Sequence, residues 1–145
     1  MNKHSEKGMT FLELLLVLTI LGVLTIIVIP VSRGWTMEQS ERDALEAFKA
    51  TVQRMQAHSM ANQTTTWLGF SNEGKTYTVT YYDTNEITVT HFPPTIKYDN
   101  TSTLRNVAFQ GNGNMFNTGT MTFLTSSGSK KIKFQFQRGR MLLYE

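Results

Sequence analysis

Lys7-Gly8-Met9-Thr10-Phe11-Leu12-Glu13 opens an apolar run that continues to Val31. From Leu14 to Val31 the run carries no charge, and its length is close to the ~20 residues that a bilayer span needs. Ahead of it lies a short polar leader containing Lys3, His4 and Lys7 and ending in Gly8. One carboxylate, Glu13, sits inside the apolar block, about one turn from its start. An acid near a membrane core costs roughly 2.5–3.5 kcal/mol on insertion scales, so such a residue persists where it has a partner.

The stretch KGMTFLELLLVLTILGVL, residues 7–24, resembles the processing site and membrane helix of type IV prepilins and of the pseudopilins of secretion and competence systems. In that family a membrane peptidase cuts after the glycine and methylates the new amino terminus. The resemblance therefore implies a cut between Gly8 and Met9, N-methylation of Met9, and a mature chain whose fifth residue is Glu13. The family's first mature residue is often Phe, and here it is Met9. Gly22 and Pro30 fall where similar proteins interrupt the helix.

Physical chemistry supports the same division. A secretory signal peptide is cleaved after its apolar region, behind small residues, whereas here Ile29-Pro30-Val31-Ser32-Arg33 follows. Cutting at Gly8 instead removes the basic leader and retains the apolar segment as an anchor. Lys3 and Lys7 stay cytoplasmic under the positive-inside rule, which puts everything after Arg33 outside. The new α-amino group, with a reference pKa of about 7.7–8.0, can pair with Glu13 of a neighbouring subunit and relieve the cost of both charges in lipid. The expected organisation is a leader (1–8), a transmembrane or filament-core helix (9–31), its amphipathic continuation (32–62) and an extracellular antiparallel β-domain (63–145).

Composition limits what that domain can be. The chain has 145 residues, enough for one modest domain beyond the anchor. With no Cys it has no disulfides, no cysteine-based zinc site and no thiol nucleophile. Mean hydropathy is mildly negative despite the apolar run, so the remainder is distinctly polar.

After Pro30 and Gly34, Leu45, Phe48, Val52, Met55 and Ser59 recur at alternating three- and four-residue steps, an amphipathic stripe. The spacing predicts one long helix, broken or bent near Pro30, ending near Asn62, with the stripe carrying a sheet. Beyond it the period changes to two. Trp67 and Phe70, Tyr77 to Tyr81, Ile87 to Phe92, Leu104 to Phe109, Thr120 to Thr125, Lys131 to Gln137 and Met141 to Tyr144 read as strands. Turn signals at 71–75, 83–85, 111–114, 126–129 and 138–140 separate them, and Pro93-Pro94 stops the third. A helix followed by antiparallel strands is an α+β arrangement.

The segments FQGNGNMFNTGTMTF (109–123) and KIKFQFQRGRMLLY (131–144) resemble the β-domains of GspH/FimT-like minor pseudopilins at Phe109, Phe116, Gly119, Phe123, Gly139 and Arg140. The lack of Cys, the short domain and the Thr/Asn-rich surface lean towards the Gram-positive competence branch, represented by ComGD. That resemblance implies partners: other major and minor pseudopilins, the prepilin peptidase, a membrane assembly platform, and lipid before assembly. It implies a single-pass cell-membrane protein with an extracytoplasmic C-terminal domain, found on a cell-surface pilus after assembly.

Catalysis is not expected. No HExxH, P-loop or GxSxG motif occurs, no pair of histidines has metal-ligand spacing, and no cofactor or metal site is indicated. His58 and His91 read as surface or packing residues. Glu38, Glu41, Glu46, Arg42 and Lys49 read as helix-surface charges, with Glu38 and Arg42 at the i,i+4 spacing.

Charge is unevenly placed. From Lys97 onward, seven bases (Lys97, Arg105, Lys130, Lys131, Lys133, Arg138 and Arg140) face only Asp99 and Glu145. Strand alternation puts Lys131, Lys133, Gln135 and Gln137 on one face and Ile132, Phe134 and Phe136 in the core. Lys131, Lys133, Arg138 and Arg140 are thus candidate contacts for DNA phosphates. The same pattern also keeps the outer face of any half-buried strand soluble. Trp67, Tyr77, Tyr81 and Tyr82 could stack on bases, but packing the sheet on the helix is the simpler use. Three readings stand: a minor pseudopilin of a DNA-uptake machine, one of a type II secretion or adhesive type IV pilus system, or a membrane-anchored enzyme or sensor.

Overall fold

The computed structural model describes residues 11–135 and 141–144; the side chains of 25–36, 143 and 144 lie outside the description. One helix, α1 (Phe11–Asn62), precedes eight strands: β1 (Thr66–Ser71), β2 (Thr76–Tyr81), β3 (Glu86–His91), β4 (Lys97–Tyr98), β5 (Asn106–Phe109), β6 (Gly119–Thr125), β7 (Gly128–Phe134) and β8 (Met141–Tyr144). The chain divides into two compact units, 1–36 and 37–145, so the second half of α1 belongs with the strands.

In the first unit, α1 runs without a break through Gly22 and Pro30, where the sequence predicted a helix broken or bent. Proline removes one backbone donor, and the hydrogen-bonded turns on either side are sufficient to keep a helix that is otherwise rich in Leu, Ile and Val.

In the second unit the predicted stripe is the inner face of the helix: Leu45, Phe48, Val52, Met55 and Ser59 are all buried. Phe48 is at its centre. Its ring lies 5.3 Å from Tyr77 and 5.2 Å from Phe123, both edge-on, and within about 6 Å of Phe70 and Phe92. The helix closes at Asn62, as the spacing predicted. Gln63 takes a left-handed conformation (φ 51°), and Thr64 donates its N–H back to the Ser59 carbonyl (3.2 Å), a Schellman-type ending. The Ser59 and Thr66 hydroxyls, 2.8 Å apart, tie this last turn to β1. Gly111 packs directly on the closure, where a Cβ would meet the Gln63 backbone at 2.6 Å.

The strands form two antiparallel four-stranded sheets, ordered β3-β2-β1-β5 and β4-β6-β7-β8. The chain leaves the first sheet after β3, contributes β4 to the second, returns as β5, and only then builds the β6–β7–β8 meander. Residues of both sheets share one core with α1, including Leu68, Tyr77, Val79 and Val107 from the first and Met121, Phe123, Ile132 and Phe134 from the second.

Two strand starts differ from expectation by two residues or more. The strand predicted from Leu104 begins at Asn106, because the Leu104 carbonyl accepts the Tyr98 hydroxyl (2.9 Å). The β6–β7 hairpin is tighter than predicted: Thr125 pairs with Gly128, so β7 starts at Gly128 (φ 129°), a backbone angle that favours glycine.

Candidate functional site: an exposed apolar helix and a basic sheet face

Every described side chain from Phe11 to Leu24 is exposed, with Phe11 and Leu12 about four-fifths accessible. A helix apolar on all sides is a buried or membrane-embedded element when covered, so this segment is built to be surrounded. Its polar groups are managed accordingly. The Thr19 hydroxyl donates to the Leu15 carbonyl (2.8 Å), which satisfies it within the helix. Glu13 is the one carboxylate in this exposed stretch. Among the described residues, no helix is long and apolar enough to cross a membrane. Described side chains in this half stop at Leu24, whereas the uncharged run in the sequence reaches Val31. Gly8 and Met9, the predicted processing site, lie outside the described residues.

The predicted basic row lies on the second sheet. Lys131 and Lys133 are exposed, while Ile132 and Phe134 between and beyond them are buried, as alternation required. The two lysines are about 6.8 Å apart along the strand. Pairing adds a residue that the linear pattern did not join to them. Lys97 on β4 is exposed and opposes Leu124, and Thr122 and Thr120 of the same strand oppose Lys131 and Lys133. Lys97, Lys131 and Lys133 therefore share one face over a threonine-rich floor. Arg138 and Arg140 lie outside the described residues.

Lys130 belongs elsewhere. It opposes the buried Phe123 and so is on the inner side, beside a cavity of about 210 Å³ lined also by Glu38, Glu41, Arg42 and Glu46. Glu41 is a correction to the sequence reading: it is only 3 % exposed, not a surface charge. Its carboxylate accepts the Ser126 backbone N–H (2.9 Å) at the β6–β7 turn. Burial pushes its pKa up, but hydrogen bonds from Ser126 and the Thr95 side chain, with the charge of Lys130, outweigh burial and leave it below the ordinary glutamate value. The missed signal was spacing: Glu41 stands four residues before Leu45, on the apolar stripe itself.

His58 and His91 both make side-chain contacts within the fold. His58 Nε2 lies 2.9 Å from Asp83, its ring packs edge-on to Tyr81 at 4.5 Å, and Asn62 reaches the same ring. The His58 hydrogen bond is the main cause holding the Asp83 carboxyl below its ordinary range. His91 Nδ1 meets the Thr76 hydroxyl at 3.0 Å. Tyr77 and Tyr81 are core residues, Trp67 lies over Gly69, and only Tyr82 of the four candidate stacking aromatics is exposed. Among the described residues, no group of three or more His, Asp or Glu side chains could hold a metal ion.

The family model for the prokaryotic N-terminal methylation motif matches residues 3–29. Among solved structures, the chain is similar to the type IV minor pilin FimU of Pseudomonas aeruginosa strain PAO1 in two crystal forms. The first is 14 % identical with a TM-score of 0.59, covering 77 % of this chain and 92 % of that one. The second is also 14 % identical, with a TM-score of 0.55 and coverage of 72 % and 92 %. No curated protein matches the chain. At this identity the likeness establishes the fold: a pilin-like α+β arrangement, preceded by a prepilin-like methylation motif.

Proposed function

We propose that this protein is a minor pseudopilin of a type IV-pilus-like DNA-uptake machine, of the competence branch represented by ComGD. The observation that carries the reading is a methylation motif (3–29) ahead of a pilin-like domain on one helix, whose side chains from Phe11 to Leu24 are all exposed. Processing between Gly8 and Met9, with methylation of Met9, leaves an amino group close in sequence to Glu13. Docked beside another subunit, that amino group and a neighbour's Glu13 neutralise one another, and the apolar helix exchanges lipid for protein. The subunit works by assembly, with other pseudopilins and the assembly platform as partners, and catalyses no reaction itself. Its residence is the cell membrane before assembly and the cell-surface pilus afterwards.

DNA contact is the finer part of the reading. Lys131 and Lys133, joined by Lys97, supply cations at a spacing suited to successive phosphates, and Arg138 and Arg140 follow in the sequence. The exposed Lys face favours DNA uptake over the second reading, a subunit of a type II secretion or adhesive type IV pilus system with the same assembly chemistry.

The test is natural transformation frequency in a clean deletion strain complemented with the wild-type chain. A collapse restored by complementation supports DNA uptake. Normal transformation rejects it and favours secretion or adhesion. Mass spectrometry of the membrane-extracted chain tests processing separately: the expected mature species lacks residues 1–8 and carries a methylated Met9, and an intact leader refutes the pseudopilin reading.

A further inference from the structure

β3 ends the first sheet, and it is the longest of the four described sheet edges: six residues, against two in β4 and four each in β5 and β8. All but Thr90 are exposed, and Ile87 and Val89 are 64 % and 54 % accessible. Native proteins blunt such an edge with lysine, proline or a bulge. β3 has none of these: its register with β2 runs unbroken from Glu86 to His91, through four consecutive β-branched residues.

One hydrogen bond fixes which groups face outward. Phe92 donates its N–H to the Lys75 carbonyl (2.9 Å), so Lys75 and Phe92 form a hydrogen-bonded pair. Antiparallel alternation then gives the bonded class to Tyr77–Thr90, Val79–Thr88 and Tyr81–Glu86. Ile87, Val89 and His91 therefore direct their N–H and C=O groups to the free edge. Their side chains lie on the sheet face opposite the core, since Tyr77, Val79 and Tyr81 of β2 fill the inner face.

We propose that this edge associates with a second copy of the chain, each adding its β3 antiparallel to the other about a two-fold axis at Val89. In that register Val89 opposes Val89, Ile87 opposes His91, and all three outward-facing residues of each copy find donors and acceptors. Charge selects the direction. A parallel pairing sets Glu86 against Glu86, whereas the antiparallel one brings Glu86 two strand spacings, about 10 Å, from Lys75 of the second copy. One edge thus supplies both sides of an isologous contact. A six-residue edge buries far less than the ~800 Å² per partner of a standard interface, so the dimer is weak and concentration-dependent.

The fragment 37–145 suits the test, because the buried apolar cluster falls entirely within residues 45–134. The chain has no cysteine, so Val89→Cys introduces a single thiol. At a self-opposed bonded pair the Cα atoms are about 5.5 Å apart, inside the range a disulfide spans. Under mild oxidation Val89→Cys is expected to form covalent dimer at least about tenfold faster than Thr84→Cys in the neighbouring turn. Equal rates overturn the proposal. Sedimentation provides a second readout: wild type should shift towards dimer as concentration approaches ~1 mM, and Val89→Lys, which leaves the β2 ladder intact, should remain monomeric. A wild-type fragment that stays monomeric throughout also overturns it.

Discussion

Glu41 offers a direct test of how the helix is fastened to the second sheet. Its carboxylate is nearly inaccessible and accepts the Ser126 N–H at 2.9 Å. A hydrogen bond to a charged group contributes about 1.5–3 kcal/mol, and a neutral one about 0.5–1.5. Glu41→Ala should therefore cost about 2 kcal/mol in the 37–145 fragment, and Glu41→Gln, which keeps an acceptor, about 1. With a urea dependence of about 2 kcal/mol per molar, the alanine variant's midpoint should fall by roughly 1 M. The pH dependence has a definite sign. Glu41 has a lowered pKa in the folded state, so its contribution is fully present above the unfolded value, about 4.3. It is lost as pH falls from there through the folded pKa. The gap between wild type and Glu41→Gln, measured by urea unfolding from pH 7 to pH 3, should accordingly narrow below about pH 4.3. An alanine variant within about 0.5 kcal/mol of wild type, or a gap that does not change with pH, refutes this account of the latch.

Phe48→Ala removes a fully buried ring that touches four other aromatics, and should cost about 3–5 kcal/mol, leaving 37–145 partly or wholly unfolded by circular dichroism. Glu13→Leu should insert into membrane at least as well as wild type yet be depleted from sheared surface filaments; normal incorporation argues against its assembly role and for a simple anchor. Lys131→Gln with Lys133→Gln should weaken DNA retention by the fragment and reduce the salt slope by about two, provided both lysines meet phosphates. Unchanged retention at low salt refutes that contact.

Periodicity made most of the local structure legible. Leu45, Phe48, Val52, Met55 and Ser59 marked the buried helix face because burial and a 3.6-residue repeat coincide there. Period two located seven of the eight strands, and it correctly separated Lys131 and Lys133 from Ile132 and Phe134. Where it failed, the determining information was non-local. β4 has two residues, too few for any repeat, and it exists because Lys97 and Tyr98 pair with Leu124 and Phe123. That same pairing is what brings Lys97 to the basic face, so the missed strand and the missed neighbour of Lys131 and Lys133 are one omission.

Glu41 shows the complementary failure, in which the spacing was right and the chemistry misled. Classifying residues by charge placed it on the surface, whereas its position on the stripe placed it inside. A carboxylate can occupy such a position only where donors meet it, and those come from Ser126 and Thr95, more than fifty residues away in sequence. Glu13 poses the same problem at the other end of the helix: an acid within an apolar surface, at a place where helix spacing alone predicts Leu. In Glu41 the fold supplies the partner from its own chain. For Glu13 we propose a role between subunits, where a neighbouring subunit's amino terminus has the required charge. On that proposal the two acids divide the work, Glu41 within the subunit and Glu13 between subunits. Substituting Glu41 should be read in unfolding curves and leave membrane insertion unchanged, while substituting Glu13 should be read in filaments and leave the 37–145 fold unchanged.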